Sequence, residues 1–294
     1  MQIFSTITER IECLKLEAAS AKILLNNFPV LRRLDLRIKG FQVAPLRGGM
    51  RNNFLDISRF PQLREFHWTW DETSFDGLSP HLQRLPPLQV LSIDLFAHRG
   101  HLIITQCANT LVSLSLSIFE STENRGDQLD LPHLRQLLIA ESDVETKKRL
   151  QISAPHLHSI FHGVHSGIGH AELELQHPLA IRKIYLWKAS MNLASYPGLR
   201  SLLIQADGST PEVVKVTMEG IKYCPDLSLI RYGCDYHVDE DVIAEKNIRA
   251  VIMNTIEASG HAATIEKFSP YVFPRPGSLT CSVCTLRAKE NVND

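Results

Sequence analysis

The feature that most constrains the fold is a short pattern, apolar-x-x-apolar-x-apolar, that recurs along most of the 294-residue chain. In the centre its middle positions fall at residues 91, 114, 137, 160 and 184, in steps of 23, 23, 23 and 24 residues. Such a period indicates a repeat architecture in which each copy is one structural unit. The copies are Ile11/Leu14/Leu16, Leu31/Leu34/Leu36, Leu63/Phe66/Trp68, Leu88/Leu91/Ile93, Leu111/Leu114/Leu116, Leu134/Leu137/Ile139, Leu157/Ile160/His162, Ile181/Ile184/Leu186, Leu199/Leu202/Ile204 and Leu227/Ile230/Tyr232.

Each copy is typical of one short β-strand. Apolar residues alternate with other residues, so the apolar side chains point to one face and the others to the opposite face. A single strand of this kind cannot bury its apolar face, whereas stacked copies bury a continuous core between them. The sequence therefore predicts an α/β solenoid with a parallel sheet on its concave face and short strands and helices on its convex face.

The returning half of the central repeats contains a second alternating strand, as in the segment RLQISAPHLHSI at residues 149–160. This segment and CPDLSLI at residues 224–230 resemble the repeats of F-box/leucine-rich-repeat proteins of plants and fungi. The resemblance covers about residues 10 to 235 and implies an irregular leucine-rich-repeat-like array. It also implies substrate recognition for a ubiquitin ligase, although the first copy begins at residue 11 and we expect no F-box ahead of it.

Helices are expected where the spacing between copies is long. Ser79-Pro80 and Thr210-Pro211 each supply an N-cap and a first-turn proline. The apolar positions that follow are Leu82 and Leu85 in the first case and Val214, Met218 and Ile221 in the second. A longer helix is predicted from Val238 to Ser259, because acidic residues occupy its first turn and Gly260 follows its end.

These elements predict four regions along the chain. Residues 1–10 form an N-terminal cap, 11–237 the solenoid, 238–273 a C-terminal helical cap and 274–294 a flexible tail. The tail is expected to be flexible because it has turn formers and charges but little apolar periodicity.

Composition excludes several classes of function. The 31 Lys and Arg residues balance 32 Asp and Glu residues, so we expect no nucleic-acid partner. No uncharged apolar stretch is long enough for a bilayer span, and the N-terminal segment does not resemble an export signal. Six scattered cysteines do not form a dense disulfide framework, so the sequence predicts an intracellular protein of the cytoplasm or nucleus.

Two groups of residues raise the question of a metal site. The first is a histidine cluster, and the second is the pair Cys281 and Cys284, which is half of a zinc ribbon. The histidines are His156, His158, His162, His165 and His170. They lack the helical spacing with an adjacent Glu of a zinc protease, and no second pair follows the cysteines. We expect partly exposed histidines and no metal or cofactor, with the cysteine pair left as an open alternative.

The sequence also lacks the common enzyme signatures, since it contains no GxxxxGK[ST], GxGxxG, GxSxG or HExxH motif. Solenoids most often serve as binding surfaces. We therefore expect a binding protein and not an enzyme.

The predicted binding surface is the concave face, where residues between the apolar positions would point outward. Copies one to five place polar and charged residues there, including Arg33, Arg37, Glu65 and Asp94. Later copies place five apolar residues there, namely Leu138, Phe161, Tyr185, Trp187 and Leu203. Parallel strands lie about 4.8 Å apart, so these five residues would form one patch that binds a protein partner. The alternative is a small-ligand site, which a deep cavity beneath Phe161 and Tyr185 would favour.

Overall fold

A computed structural model describes ten segments of the chain. They are residues 10–18, 28–38, 57–70, 85–94, 100–118, 128–141, 149–164, 172–206, 211–234 and 241–267. The N-terminal residues 1–9 and the predicted tail, 274–294, lie outside the described residues.

The apolar repeats form a large parallel sheet, and the chain has an α/β fold. The sheet has eleven strands in the order β1-β2-β3-β4-β5-β7-β9-β11-β12-β13-β14 and does not close on itself. Its strands are β1 (Cys13–Ala18), β2 (Arg33–Ile38), β3 (Glu65–Trp70), β4 (Val90–Asp94), β5 (Ser113–Ile118), β7 (Gln136–Glu141), β9 (Ser159–Val164), β11 (Lys183–Trp187), β12 (Ser201–Ala206), β13 (Leu229–Cys234) and β14 (Thr264–Lys267).

The register of this sheet follows the sequence pattern. The middle residue of each apolar triplet pairs with the middle residue of the next, for example Leu91 with Leu114 and Leu114 with Leu137. From the second copy to the last, all three triplet positions are buried, including His162. The predicted alternation is therefore confirmed, and the triplets form one continuous core.

A second, smaller sheet lies behind the large one. Its three parallel strands, in the order β10-β8-β6, come from the returning halves of the central repeats. They are β6 (Gln128–Asp130), β8 (Arg149–Ser153) and β10 (Glu172–Leu175). Leu129 and Ile152 are register partners and are both buried, so the predicted second strand of the repeat is confirmed.

Among the described residues three α-helices complete the core. They are α1 (Gly100–Cys107), α2 (Pro211–Glu219) and α3 (Asp241–Ser259). Helix α2 begins at the predicted proline and buries Val214 and Met218. In the other predicted short helix, Ser79, Pro80 and Leu82 lie outside the described residues. Leu85 is not helical, because Pro86 and Pro87 follow it and proline disfavours the α conformation of the preceding residue.

Helix α3 packs on the end of the array through Ile248, Ile252 and Ile256, which recur every four residues and are buried. It ends at Gly260, whose φ of 68° places it in the left-handed region that glycine readily adopts. The chain then returns to the sheet, where β14 pairs with β13. The repeat pattern does not predict β14. In the described part of the chain, no helix is both long and apolar enough to cross a lipid bilayer.

Candidate functional site

The face of the large sheet opposite the core, called the outer face below, carries one continuous row of side chains. The central residue of each repeat pairs with its neighbours on the adjacent strands. In strand order the row is Lys15, Asp35, His67, Ser92, Ser115, Leu138, Phe161, Tyr185, Leu203 and Arg231. The row changes from charged residues through two serines to apolar residues, as the alternation predicts.

The five apolar residues predicted to bind a partner lie together, and we call them the apolar patch. Leu138, Phe161, Tyr185 and Leu203 are consecutive register partners on β7, β9, β11 and β12. They therefore span three strand spacings, or about 14 Å. The rings of Phe161 and Tyr185 stack with centroids 6.3 Å apart and planes inclined by 26°. Such a contact favours a defined arrangement of the two rings.

Trp187, the fifth member of the patch, lies beside a glycine. Its register partner on β9 is Gly163, where an added Cβ would be 2.9 Å from Cε3 of the indole and 3.1 Å from Cε1 of Phe161. The absence of a side chain at Gly163 therefore lets the indole lie against the strand. Lys188 Nζ is 5.7 Å from the centroid of the Trp187 ring, within the range of a cation–π contact.

Exposure differs within the apolar patch. Phe161 and Leu203 are 8% and 9% exposed, whereas Leu138, Tyr185 and Trp187 are partly exposed. The patch therefore offers three accessible side chains beside two buried ones.

The polar half of the outer face contains a cluster of charged residues and a buried histidine. Arg33 Nη1 donates to Glu65 Oε2 at 3.2 Å, and Arg33 Nη2 lies 3.8 Å from Asp35 Oδ2. His67 is only 1% exposed, and within the described residues neither of its ring nitrogens has a hydrogen-bond partner. Burial, with a smaller contribution from Arg33, lowers the pKa of His67 from 6.5 to about 4. His67 is therefore neutral at physiological pH.

The apolar patch has polar borders on both sides. On one side are the serines Ser92 and Ser115, which are largely buried in the row. On the other side Arg231 Nε donates to Glu266 Oε2 at 2.7 Å. An apolar centre with a polar surround is the usual composition of a protein-recognition surface.

The histidine cluster of the sequence is divided by the fold. His162 points into the core, as the strand interpretation predicts, whereas His156 and His158 lie at the edge of the sheet where the strands begin. His165 and His170 lie outside the described residues, as do Cys281 and Cys284. Among the residues that the structure describes, no group of three or more His, Cys, Asp or Glu side chains is arranged to hold a metal ion.

At this amino-terminal edge of the sheet lies an open cleft of about 730 Å³, which the repeat pattern does not predict. Its lining residues precede or flank β3, β4, β5, β7 and β9. They are Arg64, Pro87, Gln89, Asn109, Thr110, Val112, His133, Arg135, His156 and His158. The sequence carries a signal for it, since residues 132–135 read Pro-His-Leu-Arg and residues 155–158 read Pro-His-Leu-His.

Comparison with known proteins gives no relationship from which a function could be transferred. No protein-family model, curated protein or solved structure matches the chain.

Proposed function

We propose that the chain is an irregular leucine-rich-repeat-like solenoid that recognises a partner protein through the apolar patch. The observation that carries this proposal is the run of four apolar register partners, from Leu138 to Leu203, with Trp187 beside them. A contiguous group of this kind on the solvent side of a sheet is typical of an interaction site.

The energetics of the patch favour binding. Tyr and Trp are enriched among the residues that dominate protein interfaces, because each buries a large area with few rotatable bonds. Tyr185 and Trp187 are partly exposed, so a partner can bury area that the fold leaves open. The stack with Phe161 and the indole packing on Gly163 already restrict the rings, which reduces the entropy lost on binding.

The resemblance to F-box/leucine-rich-repeat proteins extends the proposal to a partner class. The segment that carries it, residues 149–160, contains β8 and the start of β9, on which Phe161 follows. We therefore propose that the patch reads a substrate of a ubiquitin ligase in the cytoplasm or nucleus. The alternative of a small-ligand site gains no support from the cleft described above, because its lining does not include Phe161 or Tyr185.

The proposal is tested by removing the accessible aromatic residues. A photo-crosslinking amino acid at Leu138 would identify a partner in cell lysate, and the affinity of the purified pair would then be measured. We expect Tyr185→Ala and Trp187→Ala each to weaken binding by about 2 kcal/mol or more, because anchors of this type carry most of the interface energy.

Tyr223→Ala is the matched control. Tyr223 is 51% exposed and lies on a 3₁₀ turn outside the patch, so its truncation should change the affinity by no more than about 0.5 kcal/mol. A partner whose affinity is the same for wild type and both patch variants would disprove the proposed site. Circular dichroism and melting temperature would show that each variant keeps its fold.

A further inference from the structure

The open cleft at the amino-terminal edge of the sheet is a second candidate site, separate from the apolar patch. It is formed where the chain enters five adjacent strands, and the residue immediately before each of these strands lines it. These residues are Arg64 before β3, Gln89 before β4, Val112 before β5, Arg135 before β7 and His158 before β9. They extend across four strand spacings, so the cleft is about 19 Å long.

The ionisable residues described in the lining of the cleft are all basic. The ten described residues that line it include two arginines and three histidines but no Asp or Glu. The pKa of His158 is lowered by burial and, to a smaller extent, by the positive charges of Arg135 and Lys183, so two cations lie near this end of the cleft. An anion that entered here would meet positive potential without a competing carboxylate among the lining residues.

Four of these side chains belong to two adjacent repeats, and we call them the basic tetrad. Two consecutive repeats present the same turn, with His133 and Arg135 in one copy and His156 and His158 in the next. Adjacent strands lie about 4.8 Å apart, so equivalent positions in the two copies are neighbours. The tetrad therefore brings a guanidinium and three imidazoles to one end of the cleft.

The side chains of the tetrad carry hydrogen-bond donors that a ligand could reach. Arg135, His133 and His156 are exposed. His158 Nδ1 is 2.8 Å from Ser159 Oγ, so Nε2 is the ring nitrogen that a ligand would contact. Several donors at neighbouring positions suit a phosphate monoester, which has about two negative charges and three strong acceptor oxygens.

Arg64 supplies a second cationic point at the opposite end of the cleft. Three strand spacings separate Arg64 from Arg135, which corresponds to about 14 Å. Neutral residues lie between them, including Gln89, Asn109 and Val112. A small anion cannot reach both ends, whereas an extended peptide covers this distance in about four residues.

We propose that this cleft binds a phosphorylated segment of a partner protein, with the phosphate at the basic tetrad and an acidic side chain at Arg64. The inference does not depend on the apolar patch, because the two sites lie at different places on the sheet and share no residue.

The test uses short fluorescein-labelled peptides that carry one phosphoserine and, about four residues away on either side, a glutamate. Binding is followed by fluorescence anisotropy at constant salt. We expect the phosphopeptide to bind at least about tenfold more tightly than its unphosphorylated twin, and Arg135→Gln to remove most of that difference. Arg64→Gln should remove only the contribution of the glutamate.

Arg200→Gln is the matched control, since Arg200 is an exposed arginine directly before β12 and outside the cleft. It should leave binding unchanged, as should Tyr185→Ala, so failure of this proposal and failure of the apolar patch are distinguishable. Equal binding of the twin peptide, or an equal loss in Arg200→Gln, would overturn the proposal. Competition by free phosphoserine at the same concentration as the peptide would also overturn it, because the peptide chain would then contribute nothing.

Discussion

The two halves of the outer face share the same strand architecture but carry different side chains. From β2 to β5 the central row holds Asp35, His67 and two serines, whereas from β7 to β12 it holds four apolar residues. Both rows cover the same apolar core. The repeat fixes the inward positions, since these must bury each other, whereas the outward positions can differ between the halves.

The charged side chains of the polar half are largely paired with each other within the chain. Arg33 is paired with Glu65 and Asp35, and His67 is buried beside them. A partner that covered this cluster would gain little from charges already paired in the free protein. The apolar patch, in contrast, includes partly exposed apolar area that a partner could bury, and for this reason we propose recognition at the patch and not at the charged cluster.

The largest effect is expected in the core beneath both halves. Leu91 on β4 and Ile184 on β11 are fully buried, so truncation of either to alanine should lower the free energy of unfolding by about 2 to 5 kcal/mol. Urea denaturation would measure both variants. Lys183→Ala, on the exposed face of β11, should change it by no more than about 0.5 kcal/mol. A much smaller loss in one half than in the other would show that the halves do not share one core.

An effect of intermediate size is expected from His67 in the polar half. Its pKa is 6.5 when unfolded and about 4 when folded, so the unfolded state binds more protons between these values. Stability should therefore be complete above pH 6.5 and fall as the pH drops to about 4, by a total on the order of 3 kcal/mol.

His67→Leu isolates this contribution from that of the carboxylates. We expect the difference in unfolding free energy between wild type and the variant to change with pH across this range, with wild type losing stability as the pH falls. A difference that is independent of pH would mean that the imidazole is not buried in its neutral form.

The smallest of the three effects is expected at Gly163 in the apolar half. Gly163→Ala places a Cβ against the rings of Trp187 and Phe161, and overpacking of this kind costs about 1 to 3 kcal/mol. The fluorescence of Trp187 should change as the indole moves. The cost should fall when the same substitution is made in a Trp187→Ala background, and an unchanged cost there would remove the indole from the explanation.

The sequence predicts most of the large sheet because buried alternation is a local signal. It fails at β14, where Ile265 pairs with Ile230 but the next alternate position is Lys267 and not an apolar residue. An end strand has only one neighbour, so it needs less apolar surface and carries a weaker pattern. The members of the apolar patch were predictable for the same local reason, since each is the outward neighbour of a core residue.

The cleft was harder to predict because it depends on residues just outside the strands. Arg64 and Arg135 are about 70 positions apart in the sequence, and only the stacking of repeats brings them to one edge. The partial burial of the apolar patch was equally hard to predict from the sequence. Phe161 and Leu203 are buried although they belong to the same row as Leu138 and Tyr185, and this depends on side-chain packing that alternation does not encode.

The ion pairs at β14 have a consequence for association between molecules. An edge of a parallel sheet offers backbone groups with which a strand of another copy can pair, and this leads to end-to-end polymers. On β14, Glu266 is held by Arg231, and Lys267 Nζ lies 2.7 Å from Glu245 Oε1. An approaching copy would have to strip water from these charges before any backbone pairing formed. We therefore expect the charges of β14 to disfavour strand pairing with another copy at this edge.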